Sequence, residues 1–222
     1  MIQRVPRRGG LPRAFDALAA GVGLAVVAPL LAVVALAIKL GSPGPVLFRQ
    51  QRVGRDGVPF TLVKSRSMRV GGKGAQVTAA GDRRITPIGR LLRKTKLDEL
   101  PELWNVLRGD MALVGPRPEV PRYVDAEDPL WRRVLVARPG LTDPTTLRLR
   151  NEEALMAQVD EDHDTFYRRV LLPFKLRSMA DYLGRRSWHS DLRVLFETAW
   201  RVLVPSQAPP PSLDEIRDAT RK

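Results

Sequence analysis

The stretch ALAAGVGLAVVAPLLAVVALAI, from Ala17 to Ile38, decides the fold because none of its 22 side chains is charged. At 1.5 Å per residue, a straight helix of this length extends roughly 33 Å, enough to cross a hydrocarbon core of about 30 Å. Pro29 lies just past the centre, where a proline removes a backbone hydrogen bond and kinks or breaks a helix. Length therefore permits a span, and Pro29 introduces a second arrangement, in which the segment enters the membrane and returns.

Basic residues lie on both sides of this segment: Arg4, Arg7, Arg8 and Arg13 before it, and Lys39, Arg49, Arg52, Arg55, Lys64, Arg66 and Arg69 after it. With positive charge at both ends, the positive-inside rule gives a single span no preferred orientation. A hairpin kinked at Pro29 would leave both basic flanks on the cytoplasmic face. We therefore predict a re-entrant membrane helix, a helix-break-helix with the break at Pro29, and a straight span stays open as the alternative.

Two other kinds of segment share part of this pattern. A secretory signal has a basic start, an apolar stretch and small residues, here Ala35-Leu36-Ala37, but its apolar stretch is only about 7 to 15 residues long. A buried helix of a globular protein has a polar stripe, and this segment has none. Both comparisons favour a membrane segment.

The composition limits the partners. The 222 residues have a formal net charge of +13, which suits nucleic acid, an anionic lipid surface or a phosphorylated substrate. Beside an apolar anchor, membrane lipids are the simplest of these, since each nearby Lys or Arg contributes on the order of 1 kcal/mol of attraction. The aromatic residues are not interleaved with the basic clusters, so we expect no nucleic acid partner. The absence of cysteine excludes disulfides, thiol nucleophiles and thiolate metal sites, and it fits a cytoplasmic domain.

Composition divides the chain into three parts: residues 1–40 as basic flank and membrane helix, 41–204 as a cytoplasmic domain, and 205–222 as a proline-rich disordered tail. The cytoplasmic part begins with a β-hairpin, because strand-like residues 46–53 and 59–64 flank Asp56-Gly57. Further helices are predicted near 129–136, 152–159, 162–185 with a break near Pro173, and 191–204, whose apolar side faces either core or membrane. We predict an α+β fold that is mostly helical, with interfacial amphipathic helices and a small β-hairpin.

Asp98 and Glu99 are adjacent carboxylates at the start of a predicted helix, directly after a basic helix that begins at Thr86-Pro87. The positive end of a helix favours anions, so we expect Asp98 to stay ionised as the N-cap and a phosphate to be held nearby. An ionised carboxylate can attack phosphorus, and two carboxylates with phosphate oxygens form a typical Mg²⁺ site. The alternative is an ordinary Asp cap followed by a first-turn Glu.

Three arginines downstream are candidate anion ligands. In Gly115-Pro116-Arg117-Pro118, the prolines stiffen the backbone around Arg117, which lowers the entropy lost when this side chain clamps a phosphate. Arg148 and Arg150 alternate along an extended-looking stretch and could bind an anion together. The alternative for Arg117 is a rigid turn with a solvated side chain, and for the other two it is the protein surface.

The order of these motifs resembles the bacterial sugar transferase family, the monotopic phosphoglycosyl transferases, in their short form without a multi-span N-terminal domain. The resemblance covers about residues 13–200 and includes Pro29 and Lys64-Ser65-Arg66-Ser67-Met68. Its most specific part is the block Leu97-Asp98-Glu99-Leu100-Pro101-Glu102-Leu103, followed by Gly109-Asp110-Met111 and Gly115-Pro116-Arg117-Pro118.

The resemblance implies that residues 41–204 catalyse transfer of a sugar 1-phosphate from a nucleoside diphosphate sugar, expected to be a UDP-sugar, to polyprenyl (undecaprenyl) phosphate. UMP would be released, in the first membrane step of glycan or exopolysaccharide assembly on the cytoplasmic face of the bacterial inner membrane. Asp98 would attack the sugar-bearing phosphate and form a covalent aspartyl phosphosugar, and Glu99 would assist through Mg²⁺ or through proton handling. The resemblance assigns the metal to Asp98 and Glu99 and leaves room for a homodimer. It assigns substrate binding to Lys64, Arg66, Arg93, Arg117, Arg148 and Arg150.

A membrane-anchored basic interaction protein without catalysis is the alternative of a different class. Such a protein would use its positive charge to recruit lipid or nucleic acid. The block from Leu97 to Pro101 and the rigid Arg117 loop favour the enzyme, because adhesion needs no paired carboxylates among basic residues.

Overall fold

The computed structural model describes residues 9–71, 82–204 and 211–221, which are mostly helical with two small sheets, so the predicted class is confirmed. The elements in chain order are α1 (Arg13–Gly41), β1 (Leu47–Val53), β2 (Pro59–Ser65), α2 (Pro87–Thr95), α3 (Glu102–Arg108), β3 (Ala112–Val114), α4 (Pro129–Leu135), β4 (Gly140–Thr142), α5 (Pro144–Arg148), α6 (Glu152–Met156), α7 (His163–Phe166), α8 (Leu172–Gly184), α9 (Trp188–Leu203) and α10 (Leu213–Arg221).

The apolar segment forms α1, a helix of 29 residues that continues through Pro29. Its length and composition are sufficient to cross a membrane. The predicted division into two helices at Pro29 is not seen as a break in the secondary structure. A proline can bend a helix without ending it, because the hydrogen bonds of the neighbouring turns remain.

One face of α1 packs on the rest of the protein at both of its ends. Near the start, Arg13 donates to two carbonyl oxygens in the last turn of α3 at 2.6 Å each. The Asp16 carboxylate there accepts a hydrogen bond from the N–H of Leu113 at 3.2 Å. Near the end, Ile38 is fully buried in a small cluster with Leu92 of α2. The opposite face is apolar and exposed, with Leu18, Val22, Val26, Leu30, Val33, Leu36 and Leu40.

The predicted hairpin is confirmed. β1 and β2 pair antiparallel, from Leu47 opposite Ser65 to Val53 opposite Pro59. Their connection places Asp56 and Gly57 at φ values of 55° and 80°, a left-handed conformation that Asp and Gly tolerate better than most residues. Asp56-Gly57, the pair that predicted the hairpin from the sequence, therefore occupies the two left-handed positions of its turn.

The helices around the site begin and end largely where the sequence predicts. The Thr86 hydroxyl caps α2 by accepting the Gly89 N–H at 2.9 Å, which confirms Thr86-Pro87 as a helix start. Gly89 also permits close packing, since a Cβ there would lie 1.9 Å from the carbonyl oxygen of Ser67. α3 ends at Gly109, whose φ of 95° suits a glycine.

The second half of the described chain contributes β3 and β4 to the core shared with α1 and α3, and most of its helices pack around a second core. β3 and β4 pair in parallel, with Ala112 opposite Gly140, and three residues each are too short for a periodic signal in the sequence. The predicted helix 162–185 is found as α7, a π-helical turn (Tyr167–Leu171) and α8, so the irregular turn immediately precedes α8. Phe166 is fully buried in this core.

The predicted disordered tail, 205–222, is wrong in its final part. Leu213–Arg221 form α10, and Ile216 is fully buried against the core of α8 and the preceding π-helical turn. The proline composition did not reveal this helix, which docks on the existing core through a few apolar residues, Leu213, Ile216 and Ala219. Residues 205–210 and 222 lie outside the described residues.

Candidate active site

A tight turn between α2 and α3 presents Asp98. α2 ends at Lys96, whose φ of 61° is uncommon for a residue other than glycine, and a 3-10 turn (Leu97–Glu99) follows at once. α3 begins only at Glu102, with Pro101 before it. The prediction that Asp98 caps α3 is therefore wrong, because the 3-10 turn separates the two.

The Asp98 carboxylate is buried, and its Oδ1 atom has no hydrogen-bond partner. Burial, together with repulsion from Glu99, raises the pKa of Asp98, although Lys64, Lys96 and Arg93 act in the opposite direction. The expected effect of a helix N-terminus on the pKa of Asp98 is thus outweighed by burial, which shifts this pKa upwards. Asp98 Oδ1 therefore has a lone pair that no hydrogen bond occupies, which suits an attacking carboxylate oxygen.

Glu99 lies between two cations. Arg117 Nη2 donates to Glu99 Oε1 at 2.5 Å, and Lys64 Nζ lies 3.1 Å from the same oxygen. Burial raises the pKa of Glu99, but the charges of Arg117, Lys64 and Lys96 outweigh it and hold this pKa well below its usual range. Glu99 therefore stays ionised beside an Asp98 whose pKa moves the other way.

Glu102 is a member of the cluster that the sequence analysis did not identify as a site residue. Its side chain is only 2% exposed, and its Oε1 lies 3.0 Å from Lys64 Nζ. Burial, with repulsion from Glu99, raises the pKa of Glu102. The available signal was spacing, since Glu102 follows Asp98 by four residues in a helical region, which places both on one side.

Lys64 reaches these carboxylates because α3 holds the edge of β2. The Asn105 side chain accepts the Val63 N–H at 3.1 Å and donates to the Thr61 carbonyl oxygen at 2.8 Å, as a neighbouring strand would. Asn105 is 1% exposed. The hairpin therefore brings Lys64 to Glu99 and Glu102, and its role in substrate binding stays a prediction.

Arg117 is positioned by the hairpin and by a buried charge cluster. The chain just after it is held to β1, since Arg52 donates to the Pro118 carbonyl oxygen at 3.0 Å and the Val53 N–H donates to that of Glu119 at 2.9 Å. The Glu119 carboxylate in turn accepts from Tyr167 and lies 3.4 Å from Lys175 Nζ; the residues Glu119, Tyr167 and Lys175 are all buried. The cations Arg52 and Lys175 outweigh burial and lower the pKa of Glu119.

Two further predicted substrate ligands, Arg93 and Arg66, differ in position: Arg93 lies near the carboxylate cluster, whereas Arg66 contacts the end of α1. Arg93 lies close enough to act on the pKa of Asp98, and it pairs with Glu153 on α6. Arg66 is 3% exposed and donates to carbonyl oxygens at the end of α1, to Ser42 at 2.8 Å and Ile38 at 3.3 Å. In the structure Arg66 therefore caps the C-terminal end of α1.

Arg148 and Arg150 are not brought together with the carboxylate cluster. Arg148 pairs with Glu215 of α10, and Arg150 donates to the carbonyl oxygen of Arg201 in α9. The extended stretch expected here is the helix α5, which the Asp143 carboxylate caps. Arg148 is the last residue of α5 and Arg150 lies beyond it in a turn, and their partners are on two different helices, so the predicted alternating pair is not formed.

In comparison with known proteins, residues 8–205 match the model of the family described as bacterial sugar transferase. The chain belongs to the bacterial sugar transferase family. Over 201 residues it is 40% identical to the UDP-glucose:undecaprenyl-phosphate glucose-1-phosphate transferase of Caulobacter vibrioides, covering 88% of this chain and 71% of that protein. Over 197 residues it is 37% identical to the exopolysaccharide production protein PSS of Rhizobium leguminosarum bv. phaseoli, covering 85% and 92%.

A longer relative matches over less of its own length. The chain is 37% identical over 190 residues to the UDP-N-acetylgalactosamine-undecaprenyl-phosphate N-acetylgalactosaminephosphotransferase of Aeromonas hydrophila, which covers 79% of this chain and 45% of the relative. The family model's match, residues 8–205, includes the carboxylate cluster.

The donor set of this bacterial sugar transferase fits Mg²⁺ at Asp98 better than at Glu99. Asp98 Oδ1 accepts no hydrogen bond, whereas both Glu99 oxygens face the Arg117 guanidinium. Within residues 9–71, 82–204 and 211–221, no group of three or more Asp, Glu, His or Cys side chains is arranged to hold a metal. A magnesium ion would therefore take most of its ligands from water and substrate phosphates, as Mg²⁺ commonly does.

Proposed function

We propose that this transferase moves a sugar 1-phosphate from a UDP-sugar to undecaprenyl phosphate through a covalent intermediate on Asp98. The observation that supports this most is the Asp98 carboxylate, which is buried, has an oxygen without a partner and lies under the influence of Lys64, Lys96 and Arg93. The names of the relatives from Caulobacter and Aeromonas describe reactions of this type.

In the first step an Asp98 oxygen forms a bond to the sugar-bearing phosphorus of the UDP-sugar. The phosphoanhydride bond breaks, and its electron pair leaves with UMP. Positive charge from Lys64, Lys96 and Arg93 stabilises the negative charge on the phosphate oxygens, which is the main catalytic contribution available to a phosphoryl-transfer site. Mg²⁺, bound through Asp98 with Glu99 beside it, would supply further charge neutralisation when present.

In the second step a phosphate oxygen of undecaprenyl phosphate attacks the same phosphorus. The bond to Asp98 breaks, so that the carboxylate is regenerated and the lipid has become a sugar diphospholipid. Glu99 remains paired with Arg117 and Lys64, and it holds these two cations beside the phosphorus during both steps.

We further propose that α1 is re-entrant and that the catalytic part lies on the cytoplasmic face of the inner membrane. Arg13 and Asp16 at one end and Ile38 at the other contact the same folded part of the chain, so both ends belong on one side. The exposed apolar face of α1 would then contact lipid. Exposed apolar residues spaced by four along α9 suit an interfacial helix: Trp188, Leu192, Phe196 and Trp200.

The topology can be tested with single cysteines at Pro12 and Pro45, since the chain has no cysteine of its own. A membrane-impermeant maleimide should label neither position in intact cells and both after permeabilisation. Labelling of one position from outside would show that α1 spans the membrane and would refute the re-entrant arrangement.

The reaction can be tested with purified protein in vesicles that contain undecaprenyl phosphate and Mg²⁺. A panel that includes UDP-glucose and UDP-N-acetylgalactosamine should identify a donor that releases UMP. Without acceptor, a radioactive sugar donor should label the protein, and Asp98→Asn should abolish both this label and turnover. Asp181→Asn, an exposed carboxylate on α8, serves as the matched control. Turnover by Asp98→Asn would remove Asp98 from the nucleophile role.

A further inference from the structure

A groove of about 450 Å³ lies between the membrane helix and the catalytic elements. Its walls are mostly apolar: Leu24 and Leu31 from α1, Leu47 and Val63 from the hairpin, and Trp104 from α3. This size is within the range of ligand pockets in proteins, which are mostly apolar with few polar groups. The groove is therefore large enough to hold part of a hydrocarbon chain.

The groove runs from α1 to Pro101, which follows the turn that presents Asp98. On the helix side, Leu31 neighbours Leu30, which is 41% exposed on the apolar face of α1. On the catalytic side, the groove is lined by Pro101, three positions from Asp98, and by Val63, whose side chain lies on the opposite face of β2 from that of Lys64. A lipid that enters from the bilayer would thus approach the turn that contains Asp98 through Pro101, from the face of the hairpin opposite to Lys64.

Two arginines give this apolar groove a positive charge. Arg49 and Arg108 both line it, and Arg49 pairs in register with Val63 across the hairpin. Arg108 is exposed, and its nearest acidic partner, Asp110, is 3.7 Å away. An apolar wall combined with cations suits a lipid whose headgroup is anionic, whereas a neutral lipid would gain nothing from the arginines.

We propose that this groove binds the acceptor lipid, with the isoprenoid units next to the phosphate packed on Leu31 and Trp104. Arg49 and Arg108 attract the anionic end of the lipid as it leaves the bilayer. The inference rests on the proposed function, because it assigns a site to the second substrate of that reaction. It makes Leu31 and Trp104 determinants of acceptor affinity, distinct from the residues that act on the donor.

A pair of adjacent leucines provides the test. Leu31→Trp fills the groove, whereas Leu30→Trp makes the same change on the exposed face of the same helix. In vesicles, Leu31→Trp should raise the KM for undecaprenyl phosphate by about tenfold, the effect of losing a few methylene contacts, with the KM for the UDP-sugar unchanged. Leu30→Trp should leave both constants unchanged. Equal KM values for the acceptor in the two variants would overturn the proposal.

A second blocking variant guards against misfolding of Leu31→Trp. Thr61→Trp fills the groove from the exposed hairpin, and Val58→Trp near the hairpin turn is its control. The double variant Arg49→Gln/Arg108→Gln should also raise the KM for undecaprenyl phosphate. Added inorganic phosphate should not compete with undecaprenyl phosphate for the groove, since it lacks the isoprenoid chain. Competition by inorganic phosphate would show a phosphate site without a lipid groove. If the wild-type protein releases no UMP with any donor, the proposed function fails; if it is active and no blocking variant changes the acceptor KM, only this inference fails.

Discussion

Glu99 and Arg117 form a paired contact in which two guanidinium nitrogens face two carboxylate oxygens, Nη2 to Oε1 at 2.5 Å and Nη1 to Oε2 at 3.5 Å. Lys64 contacts the same carboxylate from the hairpin. The contact joins the turn that presents Asp98 to the Pro-Arg-Pro loop. It is therefore positioned to fix the site's geometry as well as its charge.

Arg117→Lys should retain the charge but lose the planar fork, and we expect kcat to fall by about tenfold or more. Arg117→Met should lower kcat further, because the Glu99 carboxylate would keep only Lys64 as an ion-pair partner. Both effects are measured as UMP release at saturating donor. Equal activity of Arg117→Lys and the wild type would show that only charge matters at this position.

Asp98→Asn should stabilise the protein at neutral pH while it removes activity. The pKa of Asp98 is raised in the folded state, so the folded protein binds its proton more tightly than the unfolded chain. Stability from this group is present below the ordinary value of 3.8 and is lost as pH rises through the folded-state pKa. The Tm of Asp98→Asn should therefore exceed that of the wild type at pH 7, and the gap should narrow towards pH 4.

Asp181→Asn serves as the control for this comparison, because Asp181 is exposed on α8. Its Tm should follow that of the wild type at each pH. A lower Tm for Asp98→Asn at pH 7 would contradict the raised pKa and would indicate that the ionised carboxylate stabilises the fold.

Local patterns predicted much of this fold because their signals lie within a few residues. Thr86-Pro87 and Asp56-Gly57 were identified correctly as a helix start and a hairpin turn. Asp143-Pro144 has the same form as Thr86-Pro87 and starts α5, but the alternating arginines after it suggested an extended chain instead. The Asp143 cap was a stronger signal than the alternating arginines, since the capping carboxylate satisfies backbone N–H groups of the first helical turn.

Only the tertiary structure shows which basic residues contact the carboxylate cluster and which contact backbone carbonyl oxygens. Lys64 and Arg66 are two residues apart and would share one face of a continuing strand. β2 ends at Ser65, however, so Lys64 reaches Glu99 while Arg66 reaches the end of α1. Contacts between residues 35 positions apart, such as that of Lys64 with Glu99, depend on packing that no local pattern encodes.

Arg66→Met should destabilise the protein without weakening donor binding. The buried guanidinium satisfies carbonyl oxygens of Ile38, Ser42 and Pro43, and its loss should cost about 1 to 3 kcal/mol. We expect a lower Tm and an unchanged KM for the UDP-sugar. Arg69→Met, at an exposed position, is the matched control. A raised donor KM at normal stability would restore Arg66 to the substrate site.

Lys175→Met should destabilise the protein strongly, by about 3 to 5 kcal/mol, because it leaves the buried Glu119 carboxylate without its nearest cation. Thermal unfolding in detergent measures the loss. Adding Glu119→Gln removes the unpaired charge and should recover part of the stability. A double variant whose loss equals the sum of the two single losses would show that Lys175 and Glu119 do not interact.

Ile216→Ala tests whether α10 is part of the folded core. Ile216 is fully buried, so its truncation should cost about 2 to 5 kcal/mol and lower the Tm. Glu215→Ala, one residue earlier on the same helix, breaks the exposed pair with Arg148 and should change stability by less than about 1 kcal/mol. If both variants unfold at the wild-type temperature, α10 contributes nothing to the core, and the tail behaves as its proline content predicted.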